Sequence, residues 1–248
     1  KVAIITGGSR GIGFATADRF LQEGAKVIIT ASTEENAKKS AARLKELHPD
    51  SVVDGISPNL SSLESVREEF KKVTEKYGCV DILVNNAGNH CKKYIEDMTV
   101  EDYVNVLNVH LVGAFALTKA LFPHMKEQGK GSILFQASMT SYIGQPQVAG
   151  YSTSKAGFLG MIHTLTAELA EFGVTVNAIA PGWIDTPMFH KAVDNDPPRL
   201  AKIMGRIPAK TVGDPMDVGM CAAFLCSDAA RYISGTCIPV DGGALIGF

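Results

Sequence analysis

The sequence predicts an α/β fold in which helices cover both faces of a parallel sheet of seven strands. Short apolar runs alternate with longer helical patterns along the chain, and this alternation is typical of a parallel sheet. The first apolar run leads directly into a glycine-rich turn and a helix. No internal repeat, low-complexity tract or long Pro/Gly linker interrupts the 248 residues, so we expect a single domain over 1–248.

Seven short runs rich in Val and Ile are predicted as strands, because β-branched side chains favour extended backbone. They span residues 2–6, 26–30, 51–56, 82–85, 132–137, 174–179 and 236–240. Apolar residues that recur every three to four positions predict helices over 13–22, 34–47, 63–77 and 100–125, and another from Tyr151 onward. Strands separated by helices cannot form tight hairpins and are expected to pair in parallel.

Residues 187–211 interrupt this alternation with two successive prolines, a glycine and a further proline. The segment is too long for an ordinary connection between a strand and a helix. It follows the end of a strand, where parallel sheets bind ligands, so it is predicted to be a lid over the substrate. An insertion without a functional role is the alternative.

The composition narrows the classes of function. Apolar residues make up 46% of the chain, charged residues 20%, and the net charge is −2, so attraction to nucleic acid or an anionic membrane is not expected. No run approaches about 18 consecutive apolar residues, and no membrane-spanning helix is predicted. The five cysteines contain no Cys-x-x-Cys pair, which is typical of reduced thiols in a cytoplasmic protein. The six histidines lack metal-ligand spacing, so no metal site is expected, and a preceding targeting segment stays open.

A glycine-rich turn follows the first strand. Residues 6–13 read Thr-Gly-Gly-Ser-Arg-Gly-Ile-Gly and contain Gly7, Gly11 and Gly13. Glycines here allow a tight turn and let backbone amides approach a pyrophosphate at the helix N-terminus, where the helix dipole favours negative charge. The spacing differs from the Gly-x-Gly-x-x-Gly of the best-known dinucleotide fingerprint. The turn predicts a dinucleotide site, with an ordinary strand-to-helix turn as the alternative.

Tyr151 and Lys155 lie four residues apart and therefore on one face of a predicted helix. At about 4 Å and an effective dielectric near 20, an ammonium attracts a phenolate by about 4 kcal/mol before desolvation is subtracted. Part of that energy would lower the pKa of the phenol from about 10 and make it a usable acid or base. A solvated pair without function is the alternative.

Taken together, these motifs resemble those of the short-chain dehydrogenase/reductase family over essentially the whole chain. The residues that carry the resemblance are, in order, Thr6-Gly7-x-x-x-Gly11-x-Gly13, Asn85-Asn86-Ala87-Gly88, Asn108, Ser138, Tyr151-x-x-x-Lys155 and Pro181-Gly182. The resemblance implies a Rossmann-like fold and hydride transfer between a nicotinamide cofactor and a ketone or secondary alcohol. In that chemistry Tyr151 delivers the proton, Ser138 orients the carbonyl, and Lys155 lowers the pKa of Tyr151 and binds the nicotinamide ribose.

Two further assignments depend on the resemblance. Ser138, thirteen residues before Tyr151, is preferred over Ser141 as the hydroxyl that bonds the substrate oxygen. Asn108 lies inside an apolar helix, where a polar side chain needs a partner. The resemblance implies that it bends the helix and holds a water that links the lysine to solvent. His110, two residues further on, is interpreted as a packing residue.

The resemblance also implies which residues hold the cofactor, namely Gly7, Ser9, Arg10, Gly11, Ile12, Gly13, Ser32, Asn59, Leu60, Asn86, Ala87, Gly88, Tyr151, Lys155, Pro181, Gly182, Ile184 and Thr186. NADP(H) is predicted to be preferred over NAD(H), because Ala31 places no carboxylate at the end of the second strand to repel a 2′-phosphate. Arg10 and Ser32 can donate hydrogen bonds to that phosphate. Glu34 lies close enough to keep NAD(H) as an alternative. At Asn59 relatives usually carry an adenine-binding aspartate, so this contact is a departure.

The resemblance leaves the substrate open. The cofactor end is similar to 3-oxoacyl-[acyl-carrier-protein] reductases, whereas residues 181–187 and 206–208 are similar to sugar-acid and polyol dehydrogenases such as gluconate 5-dehydrogenase. We expect a sugar acid, a polyol or another small carbonyl compound, with 3-oxoacyl reduction as the alternative. Lys202, Arg206 and Lys210 are candidates to meet an acidic substrate or a carrier protein, with solvated surface residues as the alternative. A catalytically silent relative is the alternative of another class, although none of the motifs is lost.

A homotetramer is implied as well, built through 100–125, 151–172 and 236–248. Wide apolar stripes on the first two segments support the first of these interfaces.

Overall fold

The computed structural model of the chain describes residues 1–59 and 62–247. Within them, seven strands form one sheet in the order β3-β2-β1-β4-β5-β6-β7, with every neighbouring pair parallel. The strands are β1 (Val2–Ile5), β2 (Lys26–Thr30), β3 (Val53–Ile56), β4 (Ile82–Asn85), β5 (Gly131–Gln136), β6 (Val174–Pro181) and β7 (Cys237–Val240). The predicted α/β fold with a seven-stranded parallel sheet is confirmed.

The direction of winding reverses beside β1, which pairs with β2 on one side and with β4 on the other. Ile4 of β1 lies opposite Ile28 of β2 and Leu83 of β4. All three side chains are buried, as expected for central strands covered on both faces. In open parallel sheets the crevice beyond the carboxyl ends of two such strands is the usual ligand site. The fold therefore directs attention to the loops after β1 and β4.

Nine α-helices cover the sheet in the described part of the chain. They are α1 (Gly11–Gln22), α2 (Glu34–Leu47), α3 (Leu63–Tyr77), α4 (Val100–Leu107), α5 (Gly113–Gln128), α6 (Ala149–Leu169), α7 (Pro187–Val193), α8 (Pro197–Arg206) and α9 (Pro215–Leu225). Helices α3, α5 and α6 bury Phe70, Leu117 and Phe158 against one face of the sheet. On the other face, α1 and α2 bury Phe20 and Leu44, together with the inner side of α9.

The helix predicted over 100–125 is interrupted. A π-helical turn, Asn108–Val112, separates α4 from α5. Two glycines of α6 allow it to approach this region closely: a Cβ at Gly157 would lie 3.0 Å from Leu111, and one at Gly150 would lie 3.3 Å from Val106. Turns of this kind are rare and frequently occur at functional sites.

By length and composition alone, Val100–Gln128 is long and apolar enough to cross a membrane, which differs from the sequence expectation. In the fold this stretch covers the sheet, and Leu117, Leu121 and Met125 are fully buried in the core beneath it. Core helices of soluble proteins pass the same test of length and composition.

Residues 187–211, predicted to be a substrate lid, contain the two helices Pro187–Val193 and Pro197–Arg206, and the lid role stays a prediction. Pro187 and Pro197 each occupy the start of a helix, where a missing N–H costs nothing, after the capping residues Thr186 and Asp196. The two helices have an apolar cluster of their own, made by Val193, Ile203, Ile207 and Ala244. The prolines therefore begin helices in this segment.

Candidate active site

The glycine-rich turn has the geometry of a site for a phosphate. Gly7 and Gly11 have positive φ values of 65° and 54°, which side chains disfavour. A Cβ at Gly13 would lie 2.4 Å from the Gly7 carbonyl oxygen, so α1 can begin this close to β1 only with glycine there. No side chain caps the start of α1 at Arg10, and its first turn contains no acidic residue. The first amides of α1 therefore suit the pyrophosphate of a dinucleotide.

Asn86 and Ala87, which follow β4, are hydrogen-bonded to the glycine-rich turn. Their backbone amides both donate to Thr6 Oγ1 at 2.9 Å. The Asn86 side-chain amide donates to the Thr6 carbonyl oxygen at 2.9 Å and to the Gly7 carbonyl oxygen at 3.2 Å. A Cβ at Gly7 would approach Ala87 Cα to 2.9 Å. The two loops at the reversal point thus form one rigid unit.

The end of β2 is free of an unpaired carboxylate at the predicted ribose position. Ala31 is buried, and Ser32 and Arg10 are exposed near the glycine-rich turn. Glu34 is engaged by Lys38 at 2.5 Å, and the hydrogen bond from that lysine lowers the pKa of the Glu34 carboxyl. Glu34, the acidic residue that follows Ala31 most closely in the sequence, is therefore already paired with a lysine.

The other predicted contacts on this side are placed as follows. The Ser9 carbonyl oxygen accepts from Ser40 Oγ at 3.2 Å, which ties the glycine-rich turn to α2. Asn59 is exposed beyond β3, and its backbone N–H donates to Ser65 Oγ at 3.0 Å. The predicted contact at Leu60 lies outside the described residues.

A cleft with about 890 Å³ of empty volume lies beyond the carboxyl ends of β1, β5 and β6. Seven predicted site residues line it together: Ile12, Ser138, Tyr151, Pro181, Gly182, Ile184 and Thr186. Thr186 also caps α7, accepting from the Phe189 amide at 3.2 Å, and a Cβ at Gly11 would lie 3.4 Å from it. The predicted nicotinamide side and the predicted catalytic side therefore share one cleft.

Ser138 follows β5 and begins a short 3-10 turn, Met139–Ser141, with its Oγ accepting from the Thr140 amide at 3.2 Å. It lines the cleft, whereas Ser141 is not among the lining residues in the part of the chain that the structure describes. Burial raises the pKa of Tyr151, and a hydrogen bond with Ser138 acts in the opposite direction. The structure thus places Ser138, the preferred serine, near Tyr151 in the cleft.

Lys155 lies beneath Tyr151 and is buried, with 3% of its surface exposed. Its Nζ donates to the Gln136 carbonyl oxygen, and it lies 5.4 Å from the centroid of the Tyr151 ring. Burial lowers the pKa of Lys155 to about 7. The sequence predicts a lowered pKa for Tyr151, but the raised pKa found here has a physical cause: water is excluded from the phenol, and the lysine charge is itself destabilised.

Two histidines flank the Tyr151 ring. His90 stacks on it with centroids 4.2 Å apart and planes at 29°. His110 meets it edge-on, with centroids 5.5 Å apart and planes at 84°. Burial is the main cause that lowers the pKa of His90 to about 4 and that of His110 to about 3, with a further contribution from Lys155. Both imidazoles are therefore neutral at pH 7.

The structure places His110, rather than Asn108, beside Tyr151 and Lys155, the predicted catalytic pair. Both lie on the π-helical turn, but Asn108 is exposed and His110 is buried. His110 Nε2 lies 3.1 Å from the Asn89 backbone nitrogen and 2.9 Å from its carbonyl oxygen. A Cβ at Gly88 would lie 2.1 Å from the His110 ring, so the glycine leaves room for the imidazole. The sequence marks His110 only as a single polar ring within an apolar run.

Sequence reasoning also missed lining residues of the cleft that carry no motif. They are His90, Lys92, Gln136, Gln145, Trp183, Phe189 and Arg199. They come from separate loops and helices, so no short pattern links them. Within the described residues, no group of three or more His, Cys, Asp or Glu side chains could hold a metal ion.

Comparisons with known proteins agree with this geometry. A family profile described as Enoyl-(Acyl carrier protein) reductase matches residues 7–244. A 3alpha-hydroxysteroid dehydrogenase of Mediterraneibacter gnavus is 38% identical over 98% of this chain and 96% of its own. The 3-oxoacyl-[acyl-carrier-protein] reductase FabG of Thermotoga maritima is 39% identical over 99% and 98%, respectively.

Solved structures of dehydrogenases are also similar to this chain. One described as a gluconate dehydrogenase of Agrobacterium tumefaciens superposes with a TM-score of 0.96 at 30% identity, covering 100% of this chain and 97% of that one. Another, described as an NAD(P) dependent gluconate 5-dehydrogenase of Beutenbergia cavernae with bound NADP at low occupancy, has a TM-score of 0.91 at 34% identity, with coverage of 99% and 96%. The chain therefore belongs to the short-chain dehydrogenase/reductase family of oxidoreductases, which act on CH–OH groups.

Proposed function

We propose that this protein transfers a hydride between NADP(H) and a ketone or secondary alcohol, with a sugar acid, a polyol or another small carbonyl compound as substrate. The observation that carries the proposal is the single cleft in which Ser138 and Tyr151 face the predicted nicotinamide wall, with Lys155 directly beneath. The bound nicotinamide would supply the hydride, while the protein supplies position and protons.

Each catalytic side chain has a role that its environment supports. The raised pKa keeps the Tyr151 phenol protonated at neutral pH, the state that donates a proton to a carbonyl oxygen. Ser138, which lines the same cleft as that phenol, orients the same oxygen. Lys155, whose pKa is about 7, can exchange a proton near neutral pH and return it to the tyrosine. We assign to His110 the place beside the lysine that the family resemblance implied for Asn108.

The experiment that tests this function measures oxidation of NADPH with an activated diketone. Tyr151→Phe is expected to abolish turnover while it retains NADPH affinity, because the phenol provides only the proton. Lys155→Ala is expected to weaken both turnover and NADPH affinity, because the lysine is also expected to hold the nicotinamide ribose. Surviving turnover in Tyr151→Phe, or equal NADPH affinity in the two variants, would contradict these assignments.

NADP(H) is the cofactor that this chain's residues favour, with NAD(H) as the alternative. Arg10 is exposed at the start of α1, Ser32 is exposed after β2, and Lys38 neutralises Glu34. The test compares kcat/KM for NADPH and NADH in the wild type and in Arg10→Ala. We expect a preference for NADPH that falls by about tenfold or more in the variant, as loss of a charge-assisted hydrogen bond predicts. A wild-type preference for NADH would refute the assignment.

Reduction of a 3-oxoacyl thioester is the second candidate, supported by the FabG relative at 39% identity. A panel containing a keto-gluconate, a ketose derived from a polyol and an acetoacetyl thioester separates the substrate classes. A catalytically silent scaffold is the candidate of another class, and it predicts no NADPH oxidation with any member of the panel. We further propose a cytoplasmic location, consistent with five cysteines that are all free thiols.

A further inference from the structure

We propose that Lys92 and Arg199 form an anion-binding subsite at the mouth of the catalytic cleft and that it holds a carboxylate of the substrate. The preferred substrate would then be an oxo acid or hydroxy acid rather than a neutral polyol. This inference rests on the proposed function, because it concerns the molecule that Tyr151 acts on.

Lys92 and Arg199 both lie at the cleft that contains the predicted catalytic residues. Lys92 belongs to the loop after β4, and Arg199 to the first turn of α8, so they approach from different parts of the fold. Both line the cleft that contains Ser138 and Tyr151. Lys92 is exposed and Arg199 is half-buried. A ligand whose carbonyl oxygen meets Tyr151 can therefore extend its other end toward two positive charges.

The positive charges of Lys92 and Arg199 are not paired with a carboxylate. No ion pair involves either residue within residues 1–59 and 62–247. The pKa of Lys92 is lowered by burial and then by the charges of Arg199 and Lys191, all without an opposing carboxylate. The adjacent Lys93, by contrast, is paired with Asp102 at 2.6 Å.

Asp196, the acid nearest to Arg199 in sequence, forms no ion pair with it among the described residues. Asp196 caps the helix, and its Oδ1 accepts from the Arg199 backbone amide at 3.0 Å. Two like charges that face one cleft repel each other, and a bound carboxylate would relieve that repulsion. Arginine suits this task because its planar guanidinium can bond both oxygens of a carboxylate.

The rest of the lining fits a small polar acid. Gln136 and Gln145 offer amide groups for hydroxyls, and the Gln136 Nε2 is buried without a hydrogen-bond partner among the described residues. Trp183 and Phe189 add apolar surface to the same lining. The basic residues proposed from sequence lie elsewhere: Lys202, Arg206 and Lys210 are exposed and absent from the described lining.

The test compares kcat/KM, with NADPH, for an oxo acid such as a keto-gluconate and for its neutral methyl ester. Lys92→Met and Arg199→Met are the test variants, and Lys93→Met and Lys202→Met are the controls because those lysines are exposed neighbours outside the cleft. We expect each test variant to lose about 10- to 100-fold on the acid and less than about threefold on the ester. The controls should match the wild type on both.

A neutral diketone separates failure of the subsite from failure of the proposed function. If the wild type reduces the diketone in a Tyr151-dependent way but treats acid and ester alike, the function stands and the subsite is refuted. If no ketone is reduced, calorimetry with NADP⁺-loaded protein still decides the matter: the acid should bind the wild type and bind Lys92→Met at least about tenfold more weakly. Equal binding would refute the subsite.

A comparison of two thioesters shows whether the subsite binds a phosphate or a carboxylate. Acetoacetyl-CoA carries phosphates, whereas the N-acetylcysteamine thioester of the same acyl group is neutral. If the wild type prefers the CoA thioester over the keto-gluconate, and Lys92→Met removes its advantage over the neutral thioester, the anion is a phosphate and the carboxylate assignment is overturned. Similar rates for the two thioesters support the carboxylate.

Discussion

Lys155 is buried and has no carboxylate partner in the part of the chain that the structure describes, so its environment disfavours the ammonium form. Its pKa is lowered to about 7, while an unfolded chain would keep the lysine near 10.5. At pH 7 this difference disfavours the folded state by on the order of 4 kcal/mol, because the unfolded chain binds the proton more tightly. The effect is complete below pH 7 and vanishes above the unfolded pKa, so stability rises with pH through this window. A residue proposed to be catalytic here lowers the stability of the fold.

We predict that Lys155→Met raises the free energy of unfolding at pH 6 to 7 by about 1 to 4 kcal/mol, since it removes this penalty and loses one hydrogen bond. The advantage should shrink as the pH approaches 10. Urea denaturation at pH 6, 8 and 10 measures it, with Lys39→Met on the exposed side of α2 as the control. A variant less stable than the wild type at pH 6 would contradict the pKa assignment.

His110 has two contacts and one unpartnered ring nitrogen that a packing residue would not need. It bonds the Asn89 backbone, meets the Tyr151 ring edge-on, and keeps Nδ1 buried without a partner among the described residues. An unsatisfied buried nitrogen costs free energy unless a water reaches it. The imidazole is thus placed to hold such a water near Lys155, and we regard His110 as a positioning residue for proton return.

We predict that His110→Leu lowers kcat by about tenfold or more, with KM and NADPH affinity nearly unchanged, because only proton return suffers. His110→Asn should keep most of the activity, since an amide can bond the Asn89 backbone and a water. Asn108→Ala, two residues away and exposed, is the matched control and should behave like the wild type. Equal losses in both His110 variants together with weaker NADPH binding would indicate a packing role only.

Helices α7 and α8 are the elements that decide access to the cleft. They supply Met188, Phe189, Ala192, Val193, Arg199 and Ile203 to its lining. Their small apolar cluster with Ala244 is separate from the two large clusters that cover the sheet. Elements with few ties to the main core open at lower free energy than those embedded in it. The pair can therefore move as one unit, and we keep the proposal that it closes over the substrate.

We predict that amide hydrogen exchange in 187–211 is fast in the free protein and slows by about tenfold or more when NADP⁺ and an acid substrate are both bound. The α9 helix, Pro215–Leu225, lies against α1 in the main core and provides the internal control. Exchange that is equally slow in 187–211 with and without the ligands would rule out closure.

At the scale of the whole molecule, apolar surface remains on the α4–α5 face. Val104, Val112 and Phe115 are exposed by 42%, 56% and 47%. Large exposed apolar groups in one region usually mark an interface. Near the C-terminus, Tyr232 and Ile246 are exposed by 100% and 86%. The α4–α5 face lies in the 100–125 segment and Ile246 in the 236–248 segment that were expected to build a homotetramer, whereas Tyr232 lies just before the latter; we keep the homotetramer as a proposal.

We predict that the wild type is a tetramer at micromolar concentration and that Val112→Glu with Phe115→Glu yields smaller species, because each charge would be buried without a partner. Sedimentation equilibrium measures the mass. Leu47→Glu, at the exposed end of α2, is the control and should leave the mass unchanged. A wild-type monomer at that concentration would contradict the proposal.

Most of the fold could be predicted because local patterns determine it. The strand runs and the glycine-rich turn each depend on a few adjacent residues, and the structure confirms the sheet that they predict. The cleft could be predicted only in part: Ser138 and Tyr151 belong to recognisable spacings, whereas Lys92 and Arg199 meet through tertiary packing. His110 was missed because a helical pattern with 3.6 residues per turn does not reveal a π-helical turn.

That turn also has a consequence for protein engineering and for sequence change over time. An α-helix advances by about 100° per residue, so a five-residue turn where about four would suffice amounts to one inserted residue. Deleting a single residue from Asn108–Val112 would leave both flanking helices able to form. It would nevertheless narrow the wide turn to a regular α-helical one, so that α4 and α5 keep their relative faces while His110 loses the bulged backbone that presents its imidazole to the tyrosine. One codon in this stretch therefore separates the observed site from an intact fold in which the imidazole is displaced.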